Sequence, residues 1–232
     1  MNAKDIMATT VVAVRPDTSV NDVASLLAKR RISAVPVIDN ESGLVGIVSE
    51  DDLIHRDEFG NARHPAWWLR LLDADQEKAI AYVKSHGRIA SDVMTRNVVT
   101  VEPETSLKDV AKILETRRIK RVPVVQNGKV IGIVSRANLL QALAMDKVNH
   151  TIAVDDEIIR RLILNVLRTK TGLGGHNINV IVSEGVVHLW GAVHSEDERR
   201  AVVIAAESAR GAKQIEDNLK IVDPVAEIPW DP

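Results

Sequence analysis

Apolar positions near the start of the chain change period as they go. Val11 to Val14 is a β-branched run closed by Arg15 and Pro16, which predicts a strand ended by proline. Val20, Val23, Ala24 and Leu27 then recur at helical spacing behind Ser19 and Asp22, a pair with the Ser-x-x-acid spacing of a capping box. Ala34 to Asp39 and Leu44 to Ser49 are strand-length runs on either side of Asn-Glu-Ser-Gly, which reads as a hairpin. A second helix opens at Glu50. The order is β-α-β-β-α.

The same order returns further on. Met7 is matched by Met94, the Val35-Pro36-Val37 triplet by Val122-Pro123-Val124, and Gly46 to Ser49 by Gly132 to Ser135. The second copy contributes the run Val98 to Val101, the capping pair Ser106 and Asp109, a hairpin across Gln126-Asn127-Gly128, and a helix opening at Arg136. A unit this short cannot bury a full core alone, so two copies are expected to face each other and leave a ligand-sized cleft. The expected boundaries are 1–54 for the first repeat, 55–90 for a linker and 91–146 for the second repeat. The linker carries Trp67, Trp68, Leu71, Leu72, Ile80 and Tyr82 on a helix expected over 66–85. Those aromatics read as packing against the repeats or a partner subunit, with a base-stacking platform as the alternative.

Beyond Met145 the pattern changes. Asp155 or Asp156 is expected to cap a helix bearing Ile158, Ile159, Leu162, Ile163, Val166 and Leu167. Runs at Ile178 to Val182 and Val186 to Val193 form a hairpin. Ser195 and Glu198 cap a further helix that ends near Gly211, and Ile215 to Val222 is a last strand. Residues 151–223 therefore read as α-β-β-α-β, followed by a proline-bearing end at 224–232. The fold class is α/β (α+β).

Composition narrows the function classes. The 232 residues are 45% hydrophobic and 27% charged with a formal net charge of -2, so no overall field draws nucleic acid or an anionic membrane. There is no cysteine, which removes disulfides and thiolate chemistry. The first residues lack a basic stretch followed by an apolar one, and the chain is read as cytoplasmic. The seven histidines show no His-Glu-x-x-His and no i,i+4 pair, so no metal site is expected. Gly172 to Gly175 follows a helix and precedes a strand, the reverse of the order a phosphate loop needs. No hydrolase or kinase signature is present, and no catalytic residue is assigned.

The candidate chemistry lies at Gly46 to Asp52 and its counterpart Gly132 to Asn138. At each, a strand runs into a helix start, where backbone N–H groups and the helix dipole favour an anion. Asp52 can accept from two sugar hydroxyls, Ser49 can add a further bond, and Gly46 permits close approach of a ligand. A second reading stands beside this one: Ser49 and Asp52 also form a capping box that requires no ligand. Lys120 and Arg121 head the second Val-Pro-Val run where the first copy has Ser33 and Ala34, so phosphate would prefer the second copy's edge, unless these charges only satisfy a helix end.

Asp-Ile-Met or Asp-Val-Met at the start of each copy, Val-Pro-Val on the second strand and Gly-Ile-Val-Ser on the third resemble a pair of cystathionine-β-synthase-type (CBS) domains over about residues 1 to 145. The resemblance implies an adenosine-containing ligand (AMP, ADP, ATP or a related adenosyl compound) and a homodimer. By that likeness Ser49 and Asp52 are the ribose positions of a first site, with Val35 and Pro36 beside them. Ser135 matches in a second site with Val122, Pro123 and Gly132, but Asn138 replaces the acid, and an amide is the weaker acceptor. Lys120 and Arg121 resemble the family's phosphate contacts and are expected to serve a ligand across the cleft. Gly185 to Val193, Ser195 to Arg200, Gly211 to Lys213 and Asp217 to Leu219 are similar to the BON domain, a family associated with phospholipid contact or protein interaction. Nine basic against ten acidic residues between Thr151 and Val222 make attraction to anionic lipid weak. The implied function is a non-catalytic sensor acting on an unknown regulated protein; the alternative is a structural adaptor with empty clefts.

Overall fold

The computed structural model describes residues 1–41, 43–54, 82–83, 86–145, 154–173 and 178–222. In chain order the elements are α1 (Ala3–Ile6), α2 (Val20–Arg30), β1 (Ala34–Asp39), β2 (Gly43–Ser49), α3 (Glu50–Ile54), α4 (Ala90–Val93), α5 (Leu107–Thr116), β3 (Arg121–Gln126), β4 (Lys129–Ser135) and α6 (Arg136–Ala144). The tail adds α7 (Val154–Thr169), β5 (Ile178–Ser183), β6 (Val186–Val193), α8 (Glu196–Glu207) and β7 (Gln214–Ile221). The mixed α+β class expected from the sequence is what the chain adopts. The inserted helix expected over 66–85 lies outside the described residues, apart from Tyr82 and Val83, which are helical and exposed.

The chain divides into two compact units, one comprising Val11–Val99 with Asn127–Val130, the other Met1–Thr10, Thr100–Gln126 and the residues from Ile131 onward. In the first unit β1 and β2 pair antiparallel, with a register shift between Val37 and Ile38. Ser19 caps α2, its Oγ accepting from the Asp22 N–H at 3.1 Å. Val23, Val35, Val37 and Val48 are fully buried, and each contributes roughly 1.5–3 kcal/mol of hydrophobic stabilisation. Ala24, expected on the buried face of α2, is exposed; Leu26 packs on the core instead. Ala90, Val93 and Met94 complete this core, so the Asp-Val-Met segment that precedes the second repeat in sequence belongs to the first repeat's unit.

The second unit repeats the plan with the mirror-image loan. Its opening segment, α1 with the following Met7, adds Ile6 and Met7 to the unit's buried residues, which include Val101, Val110, Leu114, Val122, Val124 and Val134. Between β3 and β4 the chain turns at Asn127 and Gly128, which group with the first unit; both have positive φ, the conformation a two-residue hairpin loop requires.

Two strand expectations need correction. Val11 to Val14 and Val98 to Val101 contribute single bridges, Val14 beside Val37 and Val101 beside Val124, both parallel. Pro16 and Pro103 follow at once, and a residue without an N–H cannot extend a ladder.

In the same unit the tail forms a three-stranded sheet ordered β5-β6-β7, antiparallel between β5 and β6 and parallel between β6 and β7, with α8 making the crossover. Its α7 and α8 cover one face, burying Ile159, Ile163, Leu167, Val180, Val182, Leu189, Val202 and Leu219 among others. Ser195 caps α8 as expected, its Oγ accepting from Glu198 N–H at 3.1 Å. Asp156 is not a cap. Its carboxylate lies inside the first turn of α7 and accepts from the Glu184 and Gly185 N–H groups at 2.9 and 2.8 Å, holding the β5–β6 turn. The other sheet face is also closed, since Asn179, Ile181, Ser183 and His188 are all buried and α1 packs against β5. No helix among the described residues is long and apolar enough to cross a membrane.

Candidate ligand site at the strand-to-helix corners

The site candidates divide between the units. Val35, Pro36, Gly46, Ser49 and Asp52 lie in the first; Lys120, Arg121, Val122, Pro123, Gly132, Ser135 and Asn138 lie in the second. Each corner is built alike. A β-strand ends at a serine, and the serine Oγ accepts from the N–H of the residue three places on.

In the first unit Asp52 Oδ2 accepts from the Ser49 N–H at 2.9 Å and from Ser49 Oγ at 2.6 Å, while Asp52 N–H donates to Ser49 Oγ at 3.4 Å. Asp52 Oδ1 faces the Thr95 hydroxyl at 3.4 Å. Thr95 is placed by reciprocal backbone bonds with Ile47, at 2.9 and 3.0 Å. Ser49, Asp52 and Thr95 therefore form one polar cluster. An ionised carboxylate offers about four lone-pair directions. Three donors engage Asp52, which leaves acceptor capacity for a hydroxyl brought by a ligand.

In the second unit Asn138 Oδ1 accepts from Ser135 N–H at 2.8 Å and from Ser135 Oγ at 2.7 Å, and Asn138 N–H donates to Ser135 Oγ at 3.3 Å. These lengths match those around Asp52 closely. The cap is thus served as well by an amide as by an acid, and the charge on Asp52 is more than capping requires. Ala8 holds the place of Thr95, with the same reciprocal bonds to Ile133 at 2.9 and 3.0 Å but no hydroxyl. Asn138 Nδ2 turns away from the corner to Gln141 Oε1 at 3.3 Å.

The helix starts are less open than the sequence suggests. Glu50 N–H donates to the Ser33 carbonyl and Arg136 N–H to the Lys120 carbonyl, at 3.0 and 3.1 Å. At Gly46 the space of a missing side chain is filled by Met94, whose Sδ and Cγ a Cβ would strike; Met7 does the same at Gly132. Val35 and Val122 are wholly buried in their cores, and the Pro36 and Pro123 carbonyls accept from Val14 and Val101, each at 3.0 Å. These residues shape the corners from beneath. Lys120 and Arg121 share a unit with Ser135, at the head of β3.

Sequence reasoning missed Thr95 and Arg160. The first was within reach, because Asp-Val-Met-Thr and Asp-Ile-Met-Ala differ at that position between copies. The second was not. Arg160, on α7, donates from Nε to the Val180 carbonyl at 2.6 Å, from Nη1 to Lys4 at 3.0 Å and from Nη2 to Met7 at 2.7 Å. Burial pulls its guanidinium down to about 10, opposed by Asp5 and Glu157, so it stays charged at neutral pH. Lys4 is paired with Glu157 and Glu104, which raise its ammonium above the usual range against its partial burial. No cluster of three or more His, Cys, Asp or Glu that could hold a metal is found among the described residues.

Comparison with known proteins agrees with this architecture. The CBS domain model matches residues 3–58 and 90–145, and the BON domain model matches 155–223. The chloroplastic CBS domain-containing protein CBSX2 of Arabidopsis thaliana is 34% identical over 137 residues, 56% of this chain and 57% of that protein. The protein MJ1426 of Methanocaldococcus jannaschii is 35% identical over 156 residues, covering 62% of this chain and 91% of its own. Among solved structures, CBSX2 in complex with AMP superposes with a TM-score of 0.55 at 32% identity, over 63% of this chain and 98% of that one. The chain spans a little over half the length of the CBSX proteins it matches. By its two matched repeats and its matched tail, the chain belongs to the CBS-domain family and carries a BON domain after the pair.

Proposed function

We propose that the chain is a non-catalytic sensor whose first repeat holds the ribose of an adenosine nucleotide through Asp52, Ser49 and Thr95. The observation that carries this reading is the surplus charge at Asp52. The second repeat shows that capping needs only an amide, and the first repeat keeps a carboxylate with a threonine hydroxyl aimed at its other oxygen. Vicinal hydroxyls on a sugar are the ligand groups a carboxylate in that setting accepts best. A relative crystallised in complex with AMP supports the adenosine class. The repeats are taken as 1–54 and 91–146, the tail domain as 151–223, and the working form as a cytoplasmic homodimer that signals ligand to a protein partner through its dimer contacts and tail. Basic Lys120 and Arg121 are proposed for a phosphate at the second repeat's own edge.

A thermal-shift panel of AMP, ADP, ATP, S-adenosylmethionine and NAD tests the reading. A ligand at 100 times its dissociation constant adds about 2.7 kcal/mol to the stability of the folded state. At least one member is expected to raise the transition by several degrees; a flat panel counts against nucleotide binding. The adaptor reading has one observation in its favour, the capping box already closed at both corners. Under it no nucleotide shifts the transition, and the tail domain captures a protein or floats with phospholipid vesicles.

A further inference from the structure

We infer that the second repeat has exchanged its ribose position for a seat that holds the tail domain, with Asn138 as the junction residue. Capping does not explain the asparagine, because Asp52 caps the equivalent corner with the same geometry. The other half of the amide does. Asn138 Nδ2 donates to Gln141 Oε1 at 3.3 Å; that oxygen also accepts from Asn179 Nδ2 at 2.9 Å, and Asn179 Nδ2 donates further to the Ile6 carbonyl at 3.2 Å. Asn179 is on β5 of the tail sheet, so the chain of bonds runs from the corner of the second repeat into the tail.

Its direction is fixed at the far end. A backbone carbonyl only accepts, so Ile6 holds the Asn179 amide with Nδ2 toward it, and the second hydrogen of that group goes to Gln141 Oε1. In this arrangement Gln141 presents an acceptor to position 138. A carboxylate there would set acceptor against acceptor, in surroundings where Asn138 and Asn179 are both buried and an unmet polar group is costly. Asn138 accepts from Ser135 with one end and donates toward the tail with the other, which an ionised aspartate cannot do. Arg160 fastens the same junction from the tail side through the Lys4, Met7 and Val180 carbonyls. Ala8, in place of a threonine, removes the hydroxyl that the first corner retains. The Asn138 oxygen is filled by its two Ser135 donors and its nitrogen is turned to Gln141, so this corner has no acceptor to spare for a ribose hydroxyl, whereas Asp52 does.

The test is hydrogen–deuterium exchange on the full chain in four forms: unaltered, Asn138→Asp, Gln141→Ala and Asp52→Asn. Asn138→Asp and Gln141→Ala are expected to speed exchange at Ile178–Ser183 by about tenfold, as expected for loss of one or two buried hydrogen bonds, while Asp52→Asn leaves it unchanged. Equilibrium dialysis with AMP gives the second readout, which rests on the nucleotide reading above: the unaltered chain is expected to bind no more than one AMP. Unchanged tail exchange in both junction variants overturns the inference, and so does binding of two AMP per unaltered chain. Faster exchange with no AMP bound would sink the nucleotide reading and leave the seat standing. If Asn138→Asp does not fold, Gln141→Ala decides alone.

Discussion

Asp52 and Asn138 occupy the same turn of the same motif and differ by one atom of substance, an oxygen in place of an NH2. That difference separates their roles. The acid keeps spare acceptor capacity beside the Thr95 hydroxyl, whereas the amide uses its donor to reach Gln141. Gly46 and Gly132 act beneath the corners: each lacks a side chain so that a methionine from the other end of its unit can lie across the strand. Gly46→Ala is therefore expected to cost about 1–3 kcal/mol through overpacking, read as a lower denaturation midpoint at unchanged slope. Shortening the obstructing side chain with Met94→Ala in the same chain should recover part of that loss relative to the sum of the single variants. The capping pairs at Ser19, Ser106 and Ser195 were legible in the sequence because a cap is set by neighbours three residues apart. The second role of Asn138 was not, because it depends on a residue in the tail domain.

Hairpins and amphipathic helices showed in the sequence because their periods are local. The one-turn helices α1 and α4 did not, since four residues carry no period to detect. Asp156, one of the two acids expected as a cap for α7, serves another structure for a related reason. A carboxylate at a helix start looks like a cap, yet here it meets the N–H groups of a turn nearly thirty positions away in the chain. Arg160 is the element-scale fastening of α1, α7 and β5. Replacing it by methionine keeps much of the apolar stem and removes the donors of three carbonyls, each costing roughly 1–3 kcal/mol if left unmet. Scanning calorimetry of Arg160→Met should show the transition of the tail unit falling by several degrees with that of the Val11–Val99 unit held. A tail-unit transition that stays at its original temperature would show that the guanidinium bonds add nothing.

Across the whole chain, each repeat borrows the segment that opens the other. Met1–Thr10 belongs with the second repeat and the tail, and Ala90 to Met94 belongs with the first repeat. The duplication itself was plain in the sequence, but this exchange was not, because repeat boundaries follow similarity along the chain and packing does not. The consequence is an asymmetric molecule: one corner retains acid and hydroxyl, while the other is committed to the tail. Calorimetric titration of AMP into the full chain and into Asp52→Asn measures that asymmetry directly. Asparagine preserves the cap, as Asn138 demonstrates, and removes a charged acceptor worth about 1.5–3 kcal/mol. One AMP per chain, bound at least about tenfold more weakly by Asp52→Asn, is the expected result. Equal affinity in the two proteins, or no heat of binding in either, would contradict the account.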